Sequence, residues 1–145
     1  MRARPVFIYG TLRPGEANHH LVADAACTAP AWLADHALHG HGLVFPYITA
    51  QPGAWVRGDV VWFAEGSQGE LLTRLDQLEG FVATGHPANH YERVARPCRL
   101  DTGQQVDAWV YLAGPDARAR LAAGPDRTVA SGDWHDADAA GFWRH

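Results

Sequence analysis

The sequence predicts an α+β fold: a mixed, largely antiparallel sheet, able to curl into a barrel and flanked by a few helices. Three observations predict it. Runs rich in β-branched and aromatic residues outnumber helical stretches along the chain. Two of these runs, Tyr91–Leu100 and Val106–Leu112, flank Asp101-Thr102-Gly103, which reads as a hairpin turn. Leu71, Leu72, Leu75 and Leu78 recur at helical spacing between strand-like segments, which reads as one amphipathic helix.

Taken in order, Val6-Phe7-Ile8-Tyr9 is an unbroken β-favouring run that stops at Gly10, hence a buried strand ending in a loop. Gly10-Thr11-Leu12-Arg13-Pro14-Gly15 is that loop, punctuated by two glycines and a proline. Asn18 is placed to cap a short helix running to about Ala26. Residues 27–54 carry scattered His, Gly and Pro, with only a weak strand near Leu38–Val44. Trp55–Phe63 reads as the next strand, where Gly58 marks a bulge or a close backbone approach. Ser67 with Glu70 three residues on makes a capping box for the leucine-striped helix, and Gly80 ends it. After the hairpin, a tail rich in Ala, Asp and Trp folds back as turns or a short helix.

Composition narrows the function. At 145 residues the chain fits one domain, large enough to bury a core without metal or disulfide staples. A formal charge of −4 argues against a nucleic-acid footprint. All twelve basic residues are arginine. The first apolar run is too short for a signal peptide or a membrane span, so the expected compartment is the cytoplasm. Cys27 and Cys98 stand far apart in no metal-like spacing and read as reduced, partly buried thiols.

The chemistry-bearing residues follow from position. Backbone N–H groups in the loop after the first strand can cradle a carboxylate or an oxyanion, although a plain turn serves the pattern as well. Gly10 and Gly15 have the spacing of a phosphate loop, but Glu16-Ala17 follows where Lys-Ser/Thr is required, so nucleotide binding is a poor reading. Glu79 lies seven residues after Leu72 and four after Leu75, on the apolar face, and in the last turn of its helix. Burial and the helix dipole both raise a carboxylate pKa there, towards proton exchange at neutral pH. Position alone favours a half-exposed boundary glutamate beside Gly80. Asp76, one turn earlier, adds like-charge repulsion or faces solvent. Tyr91 and Arg93 alternate at strand spacing and point to one side, where they could bind a substrate carboxylate, hold Glu79, or simply pack. The nine histidines include His39-x-His41 but no HExxH or Cys/His ligand spacing, so no metal site is expected. No surroundings suggest an activated thiol at either cysteine.

In order along the chain, the segment Val6 to Gly15, Pro46-Tyr47, Val56-Arg57-Gly58-Asp59-Val60, Leu75-Asp76-Gln77-Leu78-Glu79-Gly80, Tyr91-Glu92-Arg93, Ala108-Trp109-Val110-Tyr111 and Ser131-Gly132-Asp133-Trp134 resemble the gamma-glutamylcyclotransferase-like family, which includes gamma-glutamylamine cyclotransferases. The resemblance implies a mixed β-barrel flanked by helices, with a cavity between the Tyr9–Leu12 loop and the helix ending at Glu79. It implies Glu79 as the catalytic acid-base, and Tyr9, Gly10, Thr11, Leu12, Tyr91, Arg93 and Tyr111 around the substrate. The expected reaction is release of 5-oxoproline and a free amine from a gamma-glutamyl compound, with no cofactor and no metal. Its partner would be that small molecule, without nucleic acid or membrane, in a monomer or homodimer. The segment Val82–Asn89, rich in Gly, Pro and His, departs from the pattern and bears on the leaving group. The rival reading is a non-catalytic module of the same fold that binds a small metabolite or partner.

Overall fold

In the computed structural model the residues described are 4–10, 27–43, 45–64, 66 and 68–134. The predicted Asn18 helix, Ser67, and Thr11 and Leu12 of the first loop lie outside them. The first strand, β1 (Val6–Ile8), is buried along its whole length, as its unbroken apolar run requires. It pairs antiparallel with β3 (Tyr47–Trp62), in the register Val6 to Val61, and parallel with β5 (Gln105–Ala113) through Val6 and Trp109. Strands β2 (Cys27–His39) and β4 (Tyr91–Leu100) complete a closed barrel in the order β1-β3-β2-β4-β5, mixed but mostly antiparallel. Closure leaves these strands without a free sheet edge. Helices α1 (Gln68–Glu79) and α2 (Pro115–Ala123) are added outside it.

The period-2 alternation of strands divides the apolar residues into two clusters. Phe7, Leu33, Leu38, Ile48, Val56, Val60 and Val110 fill the barrel. Val6, Ile8 and Val61 point the other way and pack with Leu75 of α1, Tyr91 and Tyr111. The second cluster therefore docks α1 on the barrel wall, and with it the residue at the helix end. Gly58 sits where β3 crosses β1: a Cβ there would lie 2.3 Å from the Ile8 carbonyl oxygen and 2.5 Å from the Phe7 ring. Only glycine lets the two backbones come together at that point.

The hairpin and the leucine-striped helix are found where the sequence places them. The turn at 101–104 is closed by a 2.8 Å hydrogen bond from Leu100 N–H to the Gln104 carbonyl. Three details differ. The strand near Leu38–Val44 is instead thirteen residues long and starts at Cys27, while Gly40–Leu43 turns. Its alternation is broken by a bulge between Ala34 and His36, where Asp35 has φ of 60° and accepts the Gly53 N–H, so no period-2 signal survives. Strand β3 begins eight residues before Trp55, at Tyr47, through a stretch whose Pro52 and Gly53 argue against a strand. Glu70 pairs with Arg74 at 2.7 Å, one turn on, and the expected capping box with Ser67 lies outside the described residues. Cys27 is exposed rather than partly buried, while Cys98 is buried.

The described part of the tail, to Trp134, folds back as expected, in part as α2. Beyond α2 the chain returns to the barrel end: Val129 N–H bonds the Leu38 carbonyl, Gly132 O accepts from Arg57 N–H, and Trp134 is buried.

Candidate active site

Helix α1 ends in a Schellman motif. Gly80 has φ of 64°, its N–H bonds the Gln77 carbonyl at 3.3 Å, and Phe81 N–H bonds the Asp76 carbonyl at 2.9 Å. Glycine is needed there because a side chain at that φ is strained and would also meet His90 Cβ at 2.9 Å. The motif stops the helix at Glu79 and turns the chain towards His90, whose N–H bonds the Gly80 carbonyl.

Glu79 stands on the wall of a cavity of about 340 Å³. Residues Phe7 to Gly10 line one side, Phe45, Pro46 and Leu78 another, and His90, Tyr91 and Tyr111 the rest. Burial raises the Glu79 carboxyl to about 7, so a proton can leave or return near neutral pH. The phenols around it donate elsewhere. Tyr9 O–H bonds the Tyr111 carbonyl at 2.5 Å, Tyr91 O–H the Pro46 carbonyl at 2.7 Å, and Tyr111 O–H the Asp76 Oδ1 at 2.7 Å. Burial pushes all three phenols up, so they remain protonated donors. Donation to these acceptors fixes the rings as walls and leaves the carboxyl in an aromatic, weakly solvating pocket.

At the mouth, Tyr47 stacks on Tyr91 with ring centroids 4.9 Å apart, and its hydroxyl is 2.6 Å from His90 Nε2. Burial lowers the His90 pKa, and the charge of Arg120 on α2 lowers it further. The segment Val82–Asn89 is held down from inside. The buried Asn89 side chain accepts from Val82 N–H at 2.7 Å and donates to the Ala83 carbonyl and to Glu92. Glu92 also takes the Gly85 N–H at 2.8 Å.

Of the residues singled out in the sequence, the structure brings Tyr9, Gly10, Glu79, Tyr91 and Tyr111 together around one cavity. Arg93 is not among the lining residues. Its guanidinium lies between the Phe81 and Trp109 rings, at 5.0 and 4.7 Å, and its Nη1 donates to both Asp76 carboxylate oxygens, at 2.9 and 3.2 Å. Asp76 therefore neither faces open solvent nor stands as an unpaired like charge beside Glu79. Sequence reasoning passed over His90, Phe45 and Leu78 as lining residues. Leu78 looked like core because its helical spacing matches Leu71 and Leu75, yet it is 43% exposed, at the pocket lip. The signal available for the others was adjacency: His90 precedes Tyr91, and Phe45 precedes Pro46-Tyr47.

His39 shares a hydrogen bond with Thr49 Oγ1 at 2.7 Å, and burial pushes the Cys98 thiol up to about 12, the opposite of activation. Among the described residues no helix is long and apolar enough to cross a membrane.

Comparison with known proteins bears on most of the chain. A family model described as gamma-glutamyl cyclotransferase, AIG2-like, matches residues 6–136. The gamma-L-glutamyl-butirosin B gamma-glutamyl cyclotransferase of Niallia circulans is 30% identical over 112 residues, which span 77% of this chain and 67% of that protein. Among solved structures, an uncharacterized protein from Pyrococcus horikoshii superposes with a TM-score of 0.64 at 19% identity, over 92% of each chain. An AIG2-like protein from Mus musculus does so at 0.52 and 21% identity, over 94% of this chain and 95% of that one. At those identities the two structures show a shared fold.

Proposed function

The chain belongs to the gamma-glutamyl cyclotransferase, AIG2-like family and is an enzyme of that type, and on that premise we propose that it releases 5-oxoproline and a free amine from a gamma-glutamyl compound, with Glu79 as base and then acid. The observation that carries the reading is the Glu79 carboxyl, raised by burial to about 7 on the wall of an aromatic-lined cavity.

In such a substrate the α-amine attacks its own gamma-carbonyl and closes a five-membered lactam. The walls supply much of the rate by holding the gamma-glutamyl chain folded, which makes the attack intramolecular. The α-ammonium first loses a proton to solvent; the remaining need is two transfers, one proton from the attacking nitrogen as the lactam closes and one to the departing nitrogen. A single carboxylate matched to neutral pH performs both, because the proton it takes from the nucleophile is the one it gives to the leaving group. Rigid rings from Tyr9, Tyr91 and Tyr111 fix the walls against which the glutamyl chain folds. The backbone at Gly10, with Thr11 and Leu12 next in the chain, would take the substrate carboxylate or the developing oxyanion.

The test is 5-oxoproline release from a panel of gamma-glutamyl amines, gamma-glutamyl dipeptides and glutathione, comparing wild type with Glu79→Gln. The expected result is release from part of the panel by wild type. The variant should fall by a factor of about 10²–10⁴, the usual share of a general acid-base. Undiminished turnover by Glu79→Gln would remove Glu79 from this role. Binding without turnover by wild type would favour a non-catalytic module.

A further inference from the structure

Two large side chains at the cavity have no part in the packing described above. Phe45 and Leu78 both line it, yet they are 50% and 43% exposed. Among the described residues only Trp55 and Val82 are large hydrophobics left as open, so half of that set lines this one cavity. Neither Phe45 nor Leu78 belongs to the barrel core or to the cluster that docks α1. Leu71, Leu72 and Leu75 of the helix pack in that cluster, and Leu78 does not. Apolar surface left open to water beside a cavity, with no packing duty of its own, fits the covering of a ligand's apolar part.

The backbone fixes both positions. Leu78 lies in the last turn of α1, directly before Glu79, where the Gly80 motif ends the helix. Phe45 precedes Pro46, whose ring lies so close to Gly10 that a Cβ there would be 2.5 Å from Pro46 Cγ. The Pro46 carbonyl also takes the Tyr91 hydroxyl at 2.7 Å. The cavity is graded from inside outward. Phe7, Ile8, Tyr9, Tyr91 and Tyr111 are at most 6% exposed, Glu79 is intermediate, and Phe45 and Leu78 are open.

We infer that Phe45 and Leu78 form an apolar lip that receives the leaving group, and that the preferred substrates are gamma-glutamyl amides whose departing amine carries a large aliphatic or aromatic substituent. This rests on the cyclotransferase reading with Glu79 as the proton-exchanging group. Under that reading the glutamyl head lies inward, by the buried backbone at Gly10, and the departing nitrogen lies within reach of the Glu79 carboxyl. The substituent on that nitrogen then runs outward, past Leu78 beside Glu79 and against Phe45. Both are specificity residues for the leaving group and take no part in proton transfer.

The size of the effect follows from burial. Covering one methylene completely is worth roughly a factor of four in kcat/KM. An n-butyl group has three more carbons than a methyl group, and an open lip covers them by half, which amounts to about tenfold. A benzyl group offers a similar area. Replacing either lip residue by serine removes about half of the cover and should bring the preference down to about threefold.

The experiment measures kcat/KM for gamma-glutamyl methylamide, n-butylamide and benzylamide, with Kd for each from calorimetry. It uses the full-length wild type, Phe45→Ser and Leu78→Ser, each first shown to be folded by near-UV circular dichroism. The expected result is a wild-type preference of about tenfold for the two larger amides, reduced in both variants. Equal kcat/KM for the three amides in wild type, or a preference that survives both substitutions, would overturn the lip while leaving the cyclotransferase reaction standing. An equal loss on all three amides would place the two residues at the glutamyl head and overturn it as well. Should one variant not fold, the other and the wild-type preference still decide. Because Kd needs no turnover, tighter binding of the larger amides, lost in the variants of a protein that releases no 5-oxoproline, would uphold the lip and overturn the reaction instead.

Discussion

A carboxyl whose proton affinity is higher in the folded chain than in the unfolded one destabilises the fold once it ionises. Glu79 is such a group, with a folded value of about 7 against an ordinary 4.5. Between those values the folded state holds more protons than the unfolded state, so stability falls as pH rises. The cost is absent below the unfolded value and fully present above 7. Glu79→Gln removes it and should therefore stabilise the protein by about 1–3 kcal/mol at pH 8, with little effect at pH 4. Chemical denaturation of both proteins at the two pH values checks this. Equal stability at pH 8 would mean the carboxyl is not in a weakly solvating pocket. At this scale the sequence was informative about Glu79: its place on the apolar face and in the last helical turn is a one-dimensional property. Arg93 was different. Strand alternation placed it on the same side as Tyr91, yet its partner, Asp76, lies on another element.

Among the elements, the segment between α1 and β4 shows how a loop of Gly, Pro and His is made definite. Asn89 is 1% exposed, and its amide makes three hydrogen bonds, to Val82, Ala83 and Glu92. Asn89→Ala leaves the Val82 N–H without its acceptor and Glu92 without one of its donors, at a cost of about 1–3 kcal/mol. The loss should be local before it is global. Amides of residues 82–90 should exchange faster with solvent, and limited proteolysis should cut there first, while the barrel strands remain protected. Because this segment positions His90 at the rim, KM should rise more than kcat falls. Unchanged exchange in the segment would mean that Glu92 alone holds it. Helix α1 and the β4–β5 hairpin were legible because each is specified by local periodicity and turn chemistry. Strand β2 was not, since its bulge at Ala34/His36 shifts the pleat and hides the period-2 pattern.

For the whole molecule, barrel closure depends on the short strand β1, which pairs with β3 on one side and β5 on the other. Gly58 lies at that seam. Gly58→Ala would place a methyl group 2.3 Å from the Ile8 carbonyl oxygen, and neither backbone can withdraw without breaking its ladder. The expected loss is about 3 kcal/mol or more, among the largest for a single methyl group in this chain. It should be accompanied by loss of activity, because β1 leads directly into Tyr9 and Gly10. A thermal melt reads it, and a shift smaller than that at Asn89→Ala would show that the seam is not tightly closed.

By itself the sequence determined the local elements with clear periodicity: the buried first strand, the leucine-striped helix and its glycine stop, and the hairpin, while at Gly58 it left a bulge and a close approach both open. It also carried the ordered motifs that mark the family, with Glu79 as the residue to examine. Tertiary structure alone decided which residues share the cavity, because Tyr9, Glu79, Tyr91 and Tyr111 come from four separate segments that only barrel closure brings together. It decided too that Arg93 faces Asp76 rather than the cavity, and that Leu78 lies at a pocket lip rather than in the core. The physical reason is range. Propensity, periodicity and turn chemistry act over a few residues, whereas burial, Coulomb interaction and cavity shape depend on neighbours that may be a hundred residues apart along the chain.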